Sequence, residues 1–395
     1  MSKTVLSTRA ARLTPRVFVA MLATGAAVSC MTASAFAASD ALGIAETSVV
    51  HGKTDGPANT AYAVAVDPAA NIVAVTGSSL AGDGGTQAGS GRVWLINGRT
   101  HKVTATIKLP GGANAGVAFD PSAGVFAVAD DELPTSASTT DSNDAGAVVE
   151  INPHTGHITK EISVAGAGPG ITVDPQHRVM YVTGPGYSVT VINARTGAIK
   201  TTVPNIYYPF AISVDPGTRT VYVGGGQGTI GVWEFDGANN TPIGFNGTTK
   251  PVTVATPASP LGVATDPATG RTYVVYGSAT VKVRVLGPGV HGLKLTVKGT
   301  IDAENLGLAV DPVRNDVYVS GESGIAGCPD VVAEIDARTD KVVGYVYGVA
   351  DATALAVDPR TDTVWAANGT QVAAFKGGLN QKQPKCGTAG ITIGA

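Results

Sequence analysis

The segment GITVDPQHRVMYVTGPGYSVTVINARTGAIKTTV (170–203) decides the fold. An apolar run closes on Asp174-Pro175, a few turn residues follow, and a second run, MYV (180–182), comes next. VTVIN (189–193) is the third, and the Thr196-Gly197 turn leads into a fourth. Alternating β-branched residues punctuated by Asp-Pro and Thr-Gly turns are the pattern of hairpin-linked antiparallel strands. No stretch of the chain sustains a helical period.

The same order recurs along the chain. The opening run returns as AVAVDP ending at Pro68, GVAFDP at Pro121, AISVDP at Pro216, GVATDP at Pro267, GLAVDP at Pro312 and ALAVDP at Pro359. The seven aspartates, Asp67, Asp120, Asp174, Asp215, Asp266, Asp311 and Asp358, lie 41 to 54 residues apart. Second strands such as VYV (221–223 and 317–319) and third strands such as VWLIN (93–97) and VVAEID (331–336) keep their places, and ITKEISV (158–164) is a fourth. Four strands per unit of about 45 residues is the period of a propeller blade. The fold class is therefore all-β, a seven-bladed β-propeller of four-stranded antiparallel blades. GIAETSVV (43–50) is a strand without a blade, and the last copy, with TVWAAN (363–368) and QVAAF (371–375), lacks its fourth. The N-terminal strand is expected to complete the seventh blade and close the ring, which removes exposed sheet edges.

The second-strand motifs YVTG (181–184), YVGG (222–225) and YVSG (318–321), with VTVINARTG (189–197), resemble the repeats of YVTN-type β-propellers over residues 43–376. The resemblance departs where Gly stands in place of Asn after the Tyr-Val pair. It implies a seven-bladed, exported bacterial propeller, in a family that spans binding proteins, surface proteins and a few enzymes. Some relatives of this type bind single-stranded DNA.

Composition and charge narrow the reading. Of 395 residues 44% are hydrophobic and only 14% charged, and 51 Gly with 23 Pro put many residues in turns. That balance excludes a disordered chain, a coiled coil and a collagen. Residues 1–37 carry Lys3, Arg9, Arg12 and Arg16 and no acid, then an apolar run from Val17, then Ala35-Phe36-Ala37. This is the layout of a cleaved secretory signal, too short and too broken for a membrane span. The expected product is secreted or periplasmic and monomeric, with the propeller over 38–376 and a tail over 377–395. The formal charge of −3 becomes about −7 once the four basic residues leave, which argues against nucleic acid as a partner. Cys328 and Cys386 would then be the remaining cysteines, expected as a disulfide tying down the tail.

The repeated aspartates read as turn residues: Asp caps its own turn and Pro presets the next φ. Function is sought instead on the face shared by the D–A and B–C loops, with strands lettered A to D outward. His101, His154, His157 and His291 fall in C–D connections and His177 in an A–B turn, so only His51 reaches that face. Three groups remain there. Tyr207, Tyr208 and Phe210 share one D–A loop, with Tyr62 at the matching position of blade 1, and suit stacking against a ligand. Glu304, Asn305 and Asp351 come from adjacent D–A loops and are the ligand set for a divalent cation, Ca²⁺ or Mg²⁺, the one cofactor considered. Asp130, Asp131 and Glu132 begin a long acidic B–C loop in blade 2 suited to binding. Phosphate loops, nucleophile elbows and Cys-x-x-Cys pairs are absent from the sequence. The expected role is a non-enzymatic scaffold that binds a protein, peptide or carbohydrate on the loop face. The alternatives are a metal-dependent lactonase or lyase, similar to gluconolactonases and streptogramin lyases, and a structural cell-envelope protein.

Overall fold

The computed structural model describes residues 48–50, 60–78, 91–111, 116–130, 145–184, 187–225, 231–243, 253–255, 260–276, 282–287, 290–296, 307–321, 331–347, 349, 352–368, 371–378 and 380. These residues form seven antiparallel sheets. The inner (A) strands are Thr60–Asp67, Val117–Asp120, Ile171–Asp174, Pro209–Asp215, Pro260–Asp266, Leu308–Asp311 and Ala354–Asp358. Each lies beside the next, and the seventh lies beside the first. The chain is a seven-bladed β-propeller.

Closure has two components. Ser48–Val50 pairs antiparallel with Gln371–Lys376, Val49 opposite Ala373, and so supplies the outer strand of blade 7. Side chains then join blade 7 to blade 1. Thr353 Oγ1 donates to the Ala61 and Tyr62 carbonyls at one face, and Arg360 donates to the Pro68 and Ala69 carbonyls at the other.

Blade faces are covered on both sides, which explains the near-continuous apolar strands. Among the described residues seven buried clusters occur, one at each blade interface. Successive residues of one strand feed different clusters: Tyr181 packs toward blade 4, while Met180 and Val182 pack toward blade 2. The period-2 alternation of a strand thus divides its side chains between two neighbours rather than between core and water. Trp365 is fully buried at the blade 7–blade 1 interface, where the His101 ring meets it edge-on at 5.2 Å.

The Asp-Pro repeats are structural. All seven aspartates are buried, and each accepts a backbone N–H two residues on, as from Ala69, Ser122, Gln176 and Gly217. Ala268, Val313 and Arg360 complete the set. Four residues past each aspartate the chain turns left-handed, at Asn71, Gly124, Arg178, Arg219, Gly270, Asn315 and Asp362. This is a type I turn followed by a left-handed residue, which matches the twist of the two strands it joins. Asn or Asp at the end of a C strand repeats the device: Asn97, Asn152, Asn193, Asp236 and Asp336 each accept the N–H two residues on.

One blade departs from the expected four continuous strands. In blade 4 the C strand Gly231–Asp236 pairs first with Thr241–Pro242 and then with Thr253–Ala255. The Ile243 N–H still donates to the Glu234 carbonyl at 3.0 Å, and the second pairing, with Val232 opposite Val254, follows further along the C strand.

Candidate functional site

The second-strand motif positions the loop face. In YVTG (181–184) the Tyr181 hydroxyl donates to the Gly237 carbonyl of blade 4 across the interface at 3.4 Å. Burial pushes the phenols of Tyr181, Tyr222 and Tyr273 up to about 12, so these tyrosines remain neutral struts between blades. Thr183, two residues on, lies on the same side of the strand. Its hydroxyl accepts the Gly170 N–H at 2.9 Å, and its carbonyl accepts the Gly168 N–H at 2.6 Å. Ser320 in YVSG does the same for blade 6, accepting from Gly307 and donating to Ala352 of blade 7. The motif therefore fixes the D–A loop at the start of the inner strand in blades 3 and 6.

On that fixed rim four aromatic side chains are exposed. Tyr207 is 44%, Tyr208 37%, Phe210 51% and Tyr187 39% accessible. Tyr207 and Tyr208 lie between the blade 3 outer strand Ile199–Pro204 and the blade 4 inner strand, in which Phe210 is the second residue. Tyr187 comes from the B–C loop of blade 3. The Tyr187 ring meets Tyr207 at 5.3 Å, inclined by 57°, and Tyr208 at 5.0 Å, inclined by 90°. Beneath them Tyr207 lies 6.4 Å from the buried Trp233 of blade 4. The neighbouring Tyr208 side chain, with burial second, raises the Tyr187 phenol above its ordinary value.

The backbone under these rings is pinned and strained. Tyr187 (φ 58°), Asn205 (φ 65°) and Tyr208 (φ 44°) are all left-handed. For a side chain as large as Tyr this costs about 1–3 kcal/mol per residue. The neighbours that hold this arrangement are evident. The Ile206 N–H donates to the Tyr187 carbonyl at 2.9 Å, joining the two loops, and Ile206 itself is buried with Trp233. Gly225, the last residue of YVGG, lets the loop settle: a Cβ there would stand 2.3 Å from the Tyr208 carbonyl oxygen. Gly170 does the same for Phe210, whose carbonyl oxygen would lie 2.4 Å from an added Cβ.

The other candidates fall elsewhere. Tyr62 belongs to blade 1, half-buried, and its carbonyl takes part in ring closure, so it does not join the tyrosines of blades 3 and 4. Asp130 is the last residue of the B strand Val125–Asp130 rather than a loop residue. It is fully buried, and its carboxylate accepts the Gly111 N–H at 2.9 Å. Asp131, Glu132, Glu304, Asn305, Asp351, Cys328, Cys386 and His51 lie outside the described residues. Among the described residues no group of three or more His, Cys, Asp or Glu is placed to hold a metal, and no helix is long and apolar enough to cross a membrane. His154 and His157 are exposed on their C–D turn, and His177 Nδ1 lies 2.7 Å from Asp174. Sequence reasoning missed Tyr187. The available signal was that B–C and D–A loops share a face, so an aromatic in one belongs with aromatics in the next.

No family model matches the sequence, and no curated protein matches it. Solved structures do. A chain titled Kuenenia stuttgartiensis hydrazine synthase superposes with a TM-score of 0.62 at 15% identity, covering 84% of this chain and 98% of that one. At that identity the likeness concerns the propeller fold alone, and 1564 solved chains resemble this one. An architecture so widely shared assigns no activity.

Proposed function

We propose that this chain is an exported propeller of the YVTN type that binds a ligand rather than transforming one, at the D–A/B–C face between blades 3 and 4. One observation carries the reading. Three tyrosines and a phenylalanine, each more than a third exposed, are held on a rigid rim by loops that keep two of those tyrosines left-handed. Exposed aromatics at a site that maintains backbone strain favour a binding function over solvation. The surrounding loop residues Pro204, Asn205 and Ser188 are uncharged, so recognition rests on ring contacts and hydroxyls.

The test is an array of peptides and neutral glycans probed with the purified protein and with a Tyr207→Ala/Tyr208→Ala variant whose folding is verified by circular dichroism. Binding by the wild type that the double variant loses supports the reading. Signals identical for the two proteins would sink it.

A further inference from the structure

On the face opposite the aromatic rim, that of the A–B and C–D turns, charge is distributed unequally. In blades 1 to 3 these turns and the strand starts beside them carry Arg99, Lys102, Arg178, Arg195 and Lys200, all exposed. Among the described residues none of the five meets a carboxylate, and Glu161 is the one exposed acid. Blades 4 to 7 use their cations differently. Arg219 donates to the Gly237 carbonyl, Arg271 to Asp340, Arg314 to Asp316 and Asp362, Arg338 to Asp336, and Arg360 to the Pro68 and Ala69 carbonyls. Those cations hold the ring together, whereas the five of blades 1 to 3 point their charge at solvent. We propose that the turns of blades 1 to 3 form a peripheral docking surface for an anionic lipid bilayer.

The turns are built alike and stand side by side. Asn97, Asn152 and Asn193 each accept two N–H groups of their own turn, which fixes the tip, and the residue two places on is Arg99, His154 or Arg195. Each of the last two turns lies against the outer strand of the blade before it. A Cβ added at Gly156 would stand 3.0 Å from the Ala105 Cβ of blade 1, and one at Gly197 would stand 3.0 Å from the Ile162 side chain of blade 2. The Lys160 ammonium of blade 2 also reaches the Arg195 carbonyl at 3.4 Å. Within blade 3 the Ala194 N–H donates to the Arg178 carbonyl, which joins the A–B turn to the C–D turn. The cations therefore sit on neighbouring rigid supports, and their fields add.

Apolar side chains on the same row select the partner. A soluble polyanion would call for cations alone. Ile158 and Ile199, however, are each more than a third exposed, and they open the outer strands of blades 2 and 3 beside His157 and Lys200. Ladder register places them equivalently, Ile158 opposite Ile151 and Ile199 opposite Ile192, as Val103 lies opposite Ile96 in blade 1. Branched apolar side chains interleaved with cations suit a bilayer interface, where anionic headgroups meet the charge and the acyl boundary takes up the methyl groups. Such contact needs no spanning segment. The surface lies across the ring from the aromatic rim, so the two readings stand or fall separately.

The experiment is co-sedimentation with vesicles of phosphatidylcholine alone and of phosphatidylcholine mixed with phosphatidylglycerol. The full chain is run beside the chain from residue 38, whose folding is checked by circular dichroism, because residues 1–37 are themselves basic and apolar and precede every described strand. The shorter chain is expected to pellet with the mixed vesicles and not with phosphatidylcholine. In it, Arg195→Ala/Lys200→Ala should weaken binding about thirtyfold, and Ile158→Ser/Ile199→Ser, which leaves the charge unchanged, about tenfold. Arg338→Ala/Lys341→Ala makes the same charge change at exposed positions of blade 6 and should leave binding unchanged. An equal loss in the blade 6 variant, equal binding to both kinds of vesicle, or no binding of the shorter chain to either would overturn the proposal. Capture by dextran sulfate, with the isoleucine variant binding vesicles as the wild type does, would also overturn it and assign the cations to a soluble polyanion.

Discussion

Glu334 gives the most quantitative test of how the blades fit together. It lies mid-way along the C strand Val331–Asp336 of blade 6, only 4% exposed, opposite Tyr318. Burial, and then the neighbouring Asp316 carboxylate, push its pKa from 4.5 up to about 7, while Arg314 and the Gly378 N–H pull the other way. Arg314 meanwhile binds Asp316 and the Asp362 carboxylate of blade 7, each at 2.9 Å, so the carboxyl pair sits at the blade 6–blade 7 interface. An acid whose folded pKa exceeds its unfolded value binds its proton more tightly in the native state. Its contribution is complete below about pH 4.5 and is lost as pH climbs through about 7. The interval from 4.5 to about 7 corresponds to about 3 kcal/mol. Glu334→Gln keeps a donor toward Asp316 and an acceptor for Gly378 but cannot ionise. The variant should lie within about 1 kcal/mol of the wild type at pH 5 and exceed it by about 3 kcal/mol at pH 8. Urea unfolding of both proteins at the two pH values measures the difference directly. A variant less stable at pH 8, or an offset equal at both pH values, would refute the reasoning.

Three further outcomes follow from the repeat geometry, each read by thermal or urea unfolding. Gly170→Ala places a methyl 2.4 Å from the Phe210 carbonyl oxygen and should cost about 1–3 kcal/mol, the usual penalty for overpacking. Asp266→Ala removes the acceptor for the Ala268 N–H and the Thr269 hydroxyl and should cost about 1–2 kcal/mol. Arg178→Gly, at a left-handed residue (φ 54°) on an exposed turn, should instead stabilise by about 1 kcal/mol.

The sequence made the ring legible because one turn chemistry is reused seven times. Asp-Pro marks the end of each inner strand, where the buried aspartate accepts the N–H two residues on. Closure was legible too, since a strand without a blade and a blade without a strand suggest each other. Split pairing in blade 4 was not, because Thr241–Pro242 is too short to register as a strand. Glu334 was also hidden: a charged residue within VVAEID suggests solvent, yet both faces of this C strand are covered by neighbouring blades. The aromatic site was half legible. Tyr207, Tyr208 and Phe210 cluster in sequence, whereas Tyr187, behind Pro185-Gly186, reads as a turn residue until the fold sets its loop beside theirs. Tyr62 matched Phe210 by position in the repeat, but equivalent positions lie on different blades, so repeat register alone does not assemble a site.

Tyrosine nitration mapped by mass spectrometry tests the central claim most directly. The exposed Tyr187, Tyr207 and Tyr208 should react first, while the buried struts Tyr181, Tyr222, Tyr273 and Tyr318 stay unmodified in the folded protein. A bound ligand should protect Tyr187, Tyr207 and Tyr208 together. Protection of tyrosines elsewhere, with these three still reactive in the complex, would contradict the account.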